Sequence, residues 1–187
     1  MGTSILVTGP TKSGKSEWAE QLAAQQAHSV VYVATSRLNP DDAEWQARVE
    51  IHRRRRASAW QTLEVPTELG TALATGRTTE CWLVDSLGTW TANCLEQSDE
   101  LWAQAVAELL AAIAAFPGTL IMVAEETGWG VVPAYPLGRT FRDRLGHLTR
   151  QVAAIADVTY LVVAGFAIEL NQLGTPVAAL EPGDVGQ

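Results

Sequence analysis

Cysteine is scarce in this chain. Cys81 and Cys94 are its two, too few for a disulfide framework, and their spacing matches no metal-binding pattern. Both lie in or beside apolar segments, so they read as buried free thiols. Positive charge is short as well. Lys and Arg number 13 against 21 Asp and Glu, a net charge of −8, which argues against a general binder of nucleic acid or anionic membrane. No apolar run is long enough to span a bilayer. The N-terminus lacks the basic start, apolar core and cleavage site of a signal peptide. These absences lead us to expect a soluble cytoplasmic protein with no membrane span and no nucleic-acid partner. There is no internal repeat, linker or low-complexity tract. The 187 residues, 47% hydrophobic and 18% charged, suit one domain over 1–187 with a sizeable core.

What the chain does have is a glycine-framed loop near its start. Gly9, Pro10, Thr11, Lys12, Ser13, Gly14, Lys15 and Ser16 fit G-x-x-x-x-G-K-[ST], the phosphate-binding loop of nucleotide-handling enzymes. The apolar run Ile5-Leu6-Val7 before it reads as a buried strand. Glu17 to Gln26 after it reads as a helix keeping Trp18, Leu22 and Gln25 on one side. In that context the glycines let the backbone wrap an anion, and N–H groups at the helix start point at phosphate oxygens. Lys15 is placed to reach the β- and γ-phosphates, and the Ser16 hydroxyl to hold Mg²⁺. The bland reading is a Gly/Ser turn with a chance lysine.

The rest of the chain alternates apolar strands with helices. Strands are expected over Ser29 to Ala34, Cys81 to Val84, Thr119 to Ala124 and Val158 to Val163. Helices are expected over Asp42 to Arg56, Glu68 to Ala74, Leu101 to Phe116 and Leu137 to Ala156. Ala57 to Pro66 reads as extended, anchored by Trp60 and Leu63, and Glu181 to Gln187 as a frayed tail. The pattern predicts an α/β fold with a mostly parallel central sheet flanked by helices.

Three further stretches carry possible chemistry. Asp85 ends an apolar strand, where an acid holds Mg²⁺ together with the loop hydroxyl; alternatively Asp85-Ser86 caps the next helix. Arg48, His52 and Arg56 share a helix face within a basic run that also holds Arg53, Arg54 and Arg55. That run reads either as a solvated basic face or as a triphosphate clamp around a nucleophilic imidazole. Like charge around His52 favours its neutral, nucleophilic form. His28 and His147 have weaker claims. The loop from Glu126 to Pro133, two glycines around Trp129, follows a core strand at its carboxyl end, where ligands sit in open α/β sheets. It reads as a mobile flap or as a plain connection.

Taken together these stretches resemble the bifunctional adenosylcobinamide kinase / adenosylcobinamide-phosphate guanylyltransferase family of cobalamin biosynthesis. The likeness runs from Ile5 to about Leu170. It comprises the phosphate loop, Tyr32-Val33-Ala34-Thr35-Ser36, the helix with Arg48 and His52, Trp60 with Glu64, and Leu83 to Leu87. Further on it takes in the E-x-G-x-G-x-V-P loop, Arg139 to Asp143 and Leu161 to Gly165. The resemblance implies a RecA-like phosphate-loop fold, a homotrimer, and two reactions. A nucleoside triphosphate, GTP or ATP, phosphorylates adenosylcobinamide; GTP then gives GMP to adenosylcobinamide phosphate, carried on a histidine that matches His52. It implies nucleotide contacts at Gly9 to Ser16, Ala34, Thr35, Ser36, Arg53 to Arg56, Glu64 and Asp85. Glu125 departs from the pattern, standing where many members carry Asn. The residues also admit a phosphate-loop small-molecule kinase without a covalent step, or a non-catalytic nucleotide switch.

Overall fold

The computed structural model describes residues 2–26, 29–37 and 59–177. The expected helix over 42–56, with Arg48, His52 and Arg53 to Arg56, lies outside the described residues, as do His28 and the 181–187 tail.

Seven strands form one sheet. They are β1 (Thr3–Gly9), β2 (Ser29–Ala34), β3 (Gln61–Glu64), β4 (Glu80–Asp85), β5 (Thr119–Glu125), β6 (Val158–Val163) and β7 (Phe166–Glu169), in the order β3-β2-β4-β5-β1-β6-β7. All neighbours are parallel except β6 and β7. The helices are α1 (Lys15–Ala24), α2 (Leu69–Leu73), α3 (Leu87–Asn93), α4 (Asp99–Ala115), α5 (Pro136–Ile155) and α6 (Leu170–Leu173). The expected α/β architecture with a mostly parallel sheet is therefore present.

Central strands read as unbroken apolar runs because both faces are covered. In β4, Cys81 and Leu83 point to one face with Tyr32, Ile121, Val123 and the α1 residues Ala19 and Ala23. Trp82 and Val84 point to the other, with Leu69, Trp90, Leu109 and Leu148 from α2 to α5. Both cysteines are buried and free, as expected. Among the described residues no helix is long and apolar enough to cross a membrane.

Some expectations shift. The first helix starts at Lys15, at the end of the loop, and buries Ala19 and Ala23 fully. Trp18 and Leu22 pack beside them, while Gln25 is the exposed C-cap. Trp60 packs against the α1-side core, but Leu63 is exposed: β3 is an edge strand with an open face. Three elements go beyond the sequence reading. Helix α3 contains glycine and threonines and is held by burial of Leu87 and Trp90. Strand β7 and helix α6 are short and largely exposed, so they lack a core signature.

The topology places the site. The chain leaves β1 through α1 towards β2, and leaves β5 through α5 towards β6, on the opposite side of β1. Connections diverging from the adjacent strands β1 and β5 open a crevice at their carboxyl ends. Gly9 and Glu125 are register partners at those ends.

Candidate functional site

The phosphate loop sits between β1 and α1, as its sequence context predicts. Gly14 is the N-cap of α1 at φ 98°, a left-handed conformation that favours glycine, and Lys12 also has positive φ, 58°. No side chain caps α1. The N–H groups of its first turn are therefore left for an anion, and the helix dipole favours one there. The loop is braced from outside. Ser13 N–H donates to Pro10 O at 3.3 Å, and Gly165 N–H, in the β6–β7 turn, donates to Ser13 O at 3.0 Å. The Lys15 ammonium lies over the loop, 3.4 Å from Pro10 O. Ser13 Oγ is buried without a hydrogen-bond partner among the described residues. Ser16 is the buried residue of the first turn of α1.

Asp85 closes β4. Alternation along the strand sets its side chain on the face of Cys81 and Leu83, which is the face α1 covers. The Tyr32 hydroxyl donates to Asp85 Oδ2 at 2.9 Å. The helix-capping alternative raised for Asp85 falls to its neighbour: Ser86 is the N-cap of α3, its Oγ accepting from Thr89 N–H at 3.2 Å. Ser86 is itself gripped by β2's end. Thr35 Oγ1 donates to Ser86 O at 2.8 Å and accepts from Ser86 N–H at 2.9 Å. Asn93 Nδ2 then donates to Thr35 O and Pro66 O, at 2.7 and 2.9 Å. Paired hydrogen bonds in a buried setting leave this junction little freedom.

Glu125 ends β5, between the loop strand and β4. Its Oε1 accepts from Ser86 Oγ at 2.6 Å, and its Oε2 is buried with no partner among the described residues. Burial pushes its pKa up. The Ser86 hydrogen bond opposes this, the Asp85 charge adds to it, and the Lys15 charge opposes it. Glu125 thus feels both candidate ends of the site. Next along the chain, Glu126 N–H donates to Gly9 O at 2.9 Å, and Glu126 Oε1 accepts from Thr8 Oγ1 at 3.1 Å. The loop from Glu126 to Tyr135 is therefore tied at its root to the phosphate-loop strand, while Trp129, Val131 and Tyr135 stand exposed. Arg139 Nη1 fastens its far end by donating to Pro133 O and Ala134 O.

Of the sequence candidates, Gly9 to Ser16, Ala34 to Ser36, Glu64 and Asp85 all gather at the carboxyl edge of the sheet. Ala34 is the register partner of both Glu64 and Asp85. Thr35 is wholly buried, and its hydroxyl is paired with the Ser86 peptide. His52 and Arg53 to Arg56 lie outside the described residues. Sequence reasoning singled out no role for Asn93, and none for Tyr32 beyond the family resemblance; the signal that links Tyr32 to Asp85 is the pairing of β2 with β4.

Ser16 and Asp85 offer a hydroxyl and a carboxylate, hard oxygen donors suited to Mg²⁺. No cluster of three or more His, Cys, Asp or Glu among the described residues provides a cage. A hydroxyl and a carboxylate fit a cation that keeps water and takes substrate phosphate oxygens.

A solved protein from Pyrococcus horikoshii OT3 superposes with a TM-score of 0.57 over 95% of this chain and 92% of its own, at 5% identity, a likeness of fold alone. The bifunctional adenosylcobalamin biosynthesis protein CobP of Pseudomonas aeruginosa is 37% identical over 168 residues, 89% of this chain and 96% of that protein. The proteins named CobU of Salmonella typhimurium and Escherichia coli are 34% and 35% identical, each over 89% of this chain and 99% of their own. The family profile described as cobinamide kinase / cobinamide phosphate guanyltransferase matches residues 5–170. With a phosphate loop, an acid-tipped β4 and relatives aligned over nearly their whole length, the chain belongs to the cobinamide kinase / cobinamide phosphate guanyltransferase family.

Proposed function

We propose that this protein phosphorylates adenosylcobinamide with GTP or ATP and then transfers GMP from GTP to adenosylcobinamide phosphate, through a guanylyl group carried on His52. The family match over residues 5–170 supports the pair of activities. The observation that carries the reading is the phosphate loop opening directly into the uncapped N-terminus of α1.

In the kinase half, the alcohol oxygen of the substrate bonds to the γ-phosphorus and the bond to the nucleoside diphosphate breaks. The alcohol proton leaves to solvent. The loop N–H groups and Lys15 take up charge on the phosphate oxygens, so positioning and electrostatics carry the step. In the second half, the neutral His52 imidazole attacks the α-phosphorus, a P–N bond forms and pyrophosphate departs with the bonding pair. A phosphate oxygen of adenosylcobinamide phosphate then displaces the imidazole, giving the diphosphate-linked product. Splitting the transfer lets one site serve two bulky partners in turn. The arginines Arg53 to Arg56 complement triphosphate charge. A Mg²⁺ ion held by Ser16 and Asp85 would neutralise phosphate charge.

We also infer one domain and a cytoplasmic location, and, from the family resemblance, a homotrimer; light scattering of the purified chain checks the trimer. The test of the histidine is incubation with GTP labelled at the α-phosphorus. The expected result is acid-labile label on the wild type, none on His52→Ala, and kinase activity kept by the variant. Label persisting on His52→Ala overturns the assignment. Phosphorylation of adenosylcobinamide with no label on the wild type reduces the protein to a simple kinase.

A further inference from the structure

The end of β4 is held more tightly than a metal ligand's backbone alone requires. Ser86 is fixed through its peptide by Thr35 and through its hydroxyl by Glu125. Asp85, one residue before, therefore has an anchored main chain, and what freedom remains is in its side-chain torsions. The Tyr32 hydroxyl acts on those. It donates to Asp85 Oδ2 at 2.9 Å, a charge-assisted bond when the carboxylate is ionised. Tyr32 is 3% exposed and packed in the α1-side core, so its ring is held by packing. Its position follows from the pairing. Asp85 is the register partner of Ala34, and Tyr32, two residues before Ala34, lies on the same face one pleat back.

We propose that Tyr32 is a positioning residue for divalent-cation binding: its hydroxyl fixes the orientation in which the Asp85 carboxylate meets the cation of the bound nucleotide. This rests on the reading of Asp85 given above. Partners that orient a ligating group in this way change metal affinity by about 10- to 100-fold when removed. The competing role is purely structural, since a buried phenol takes any acceptor within reach. Under that role Tyr32→Phe changes melting but not cation affinity.

The experiment uses the full chain with the α,β-methylene analogue of GTP, which cannot pass on its α-phosphate, and Mn²⁺ as the probe read by electron paramagnetic resonance. Tyr32→Phe keeps the ring and its packing. It is expected to weaken Mn²⁺ binding to the analogue complex about tenfold, while binding of the analogue in EDTA stays at the wild-type level. Asp85→Asn is expected to weaken Mn²⁺ at least as much, and adding Tyr32→Phe to it to cost nothing further. Wild-type Mn²⁺ affinity in Tyr32→Phe, with Asp85→Asn impaired, overturns the role of Tyr32 and leaves that of Asp85 standing. Wild-type affinity in Asp85→Asn overturns both. An equal loss from Tyr32→Phe in the presence and absence of the Asp85 carboxylate overturns the proposal too, because the hydroxyl would then act by another route.

Discussion

Glu125 and Ser86 bridge the ends of β5 and β4: the Ser86 hydroxyl donates to Glu125 Oε1 at 2.6 Å, and Glu125 Oε2 lies buried without a donor among the described residues. A Cβ on Gly88 would overlap that second oxygen, so the absence of a side chain there is what admits the carboxyl group. A buried carboxylate with one unpaired oxygen is costly. It sits where β4, β5 and the loop strand converge, within reach of both the Asp85 and Lys15 charges. Here local stability is given up at a place the site uses.

The sign of that cost is measurable. Burial, the largest cause, raises the Glu125 pKa above its ordinary value of 4.5. A group raised on folding contributes most stability below its unfolded pKa, and that contribution is lost as pH rises through the folded value. Glu125→Gln keeps an acceptor for Ser86 and removes the charge. The variant should melt above the wild type at pH 8, and the gap should close as pH falls towards 4.5. Melting curves across that range check it; a gap independent of pH contradicts it.

A second prediction concerns Arg144, buried in α5. Its Nη1 donates to Cys94 O and Leu95 O at 3.2 and 3.3 Å, and its Nη2 to Gln97 O at 3.0 Å and Asp99 Oδ1 at 2.9 Å. The guanidinium also lies 5.2 Å from the Trp102 ring centroid. One fork thus ties the α3–α4 connection to α5. The Asp99 side chain is exposed, so the ion pair adds little and the carbonyls carry the effect. Arg144→Ala should cost about 3 kcal/mol in denaturant unfolding. Arg144→Lys should recover less than half, since a point charge cannot span the fork.

These two residues also mark where sequence reading stops. The phosphate loop is legible because Gly9 to Ser16 are contiguous and their chemistry is local. The strands β2 and β6 are legible to the residue because each is an apolar run between polar breaks. Asp85 and Ser86 are visible as candidates, but which one caps α3 depends on where Thr35 and Glu125 arrive, and both come from other strands. Arg144 lies in an amphipathic helix, where nothing in the local sequence singles it out. Its carbonyl partners are 47 to 50 residues away, and no local pattern announces them. Strand β7 escapes because Phe166 and Ile168 are exposed, so alternation carries no burial signal.

The remaining prediction is about the sheet's other end. Asp157, just before β6, accepts from Ser4 N–H at 2.7 Å and from Ser4 Oγ at 2.9 Å, and its own N–H donates back to Ser4 O at 3.0 Å. This latch sets β6 beside β1 before the first ladder pair, Ile5 with Val158. The backbone bond from Ser4, then its hydroxyl, hold the Asp157 pKa below its ordinary 3.8. A carboxylate depressed in this way stabilises the fold above its unfolded pKa, and the benefit is lost as pH falls through the folded value. Asp157→Ala should therefore melt below the wild type at neutral pH. The deficit should shrink only below about pH 3.8, because the wild type then loses the same bonds by protonation. The group is exposed, so solvent screening keeps the effect modest. Melting series from neutral to acid pH for both chains read it directly, and a deficit that survives unchanged at the acid end would mean that packing, and not the charged latch, joins β6 to β1.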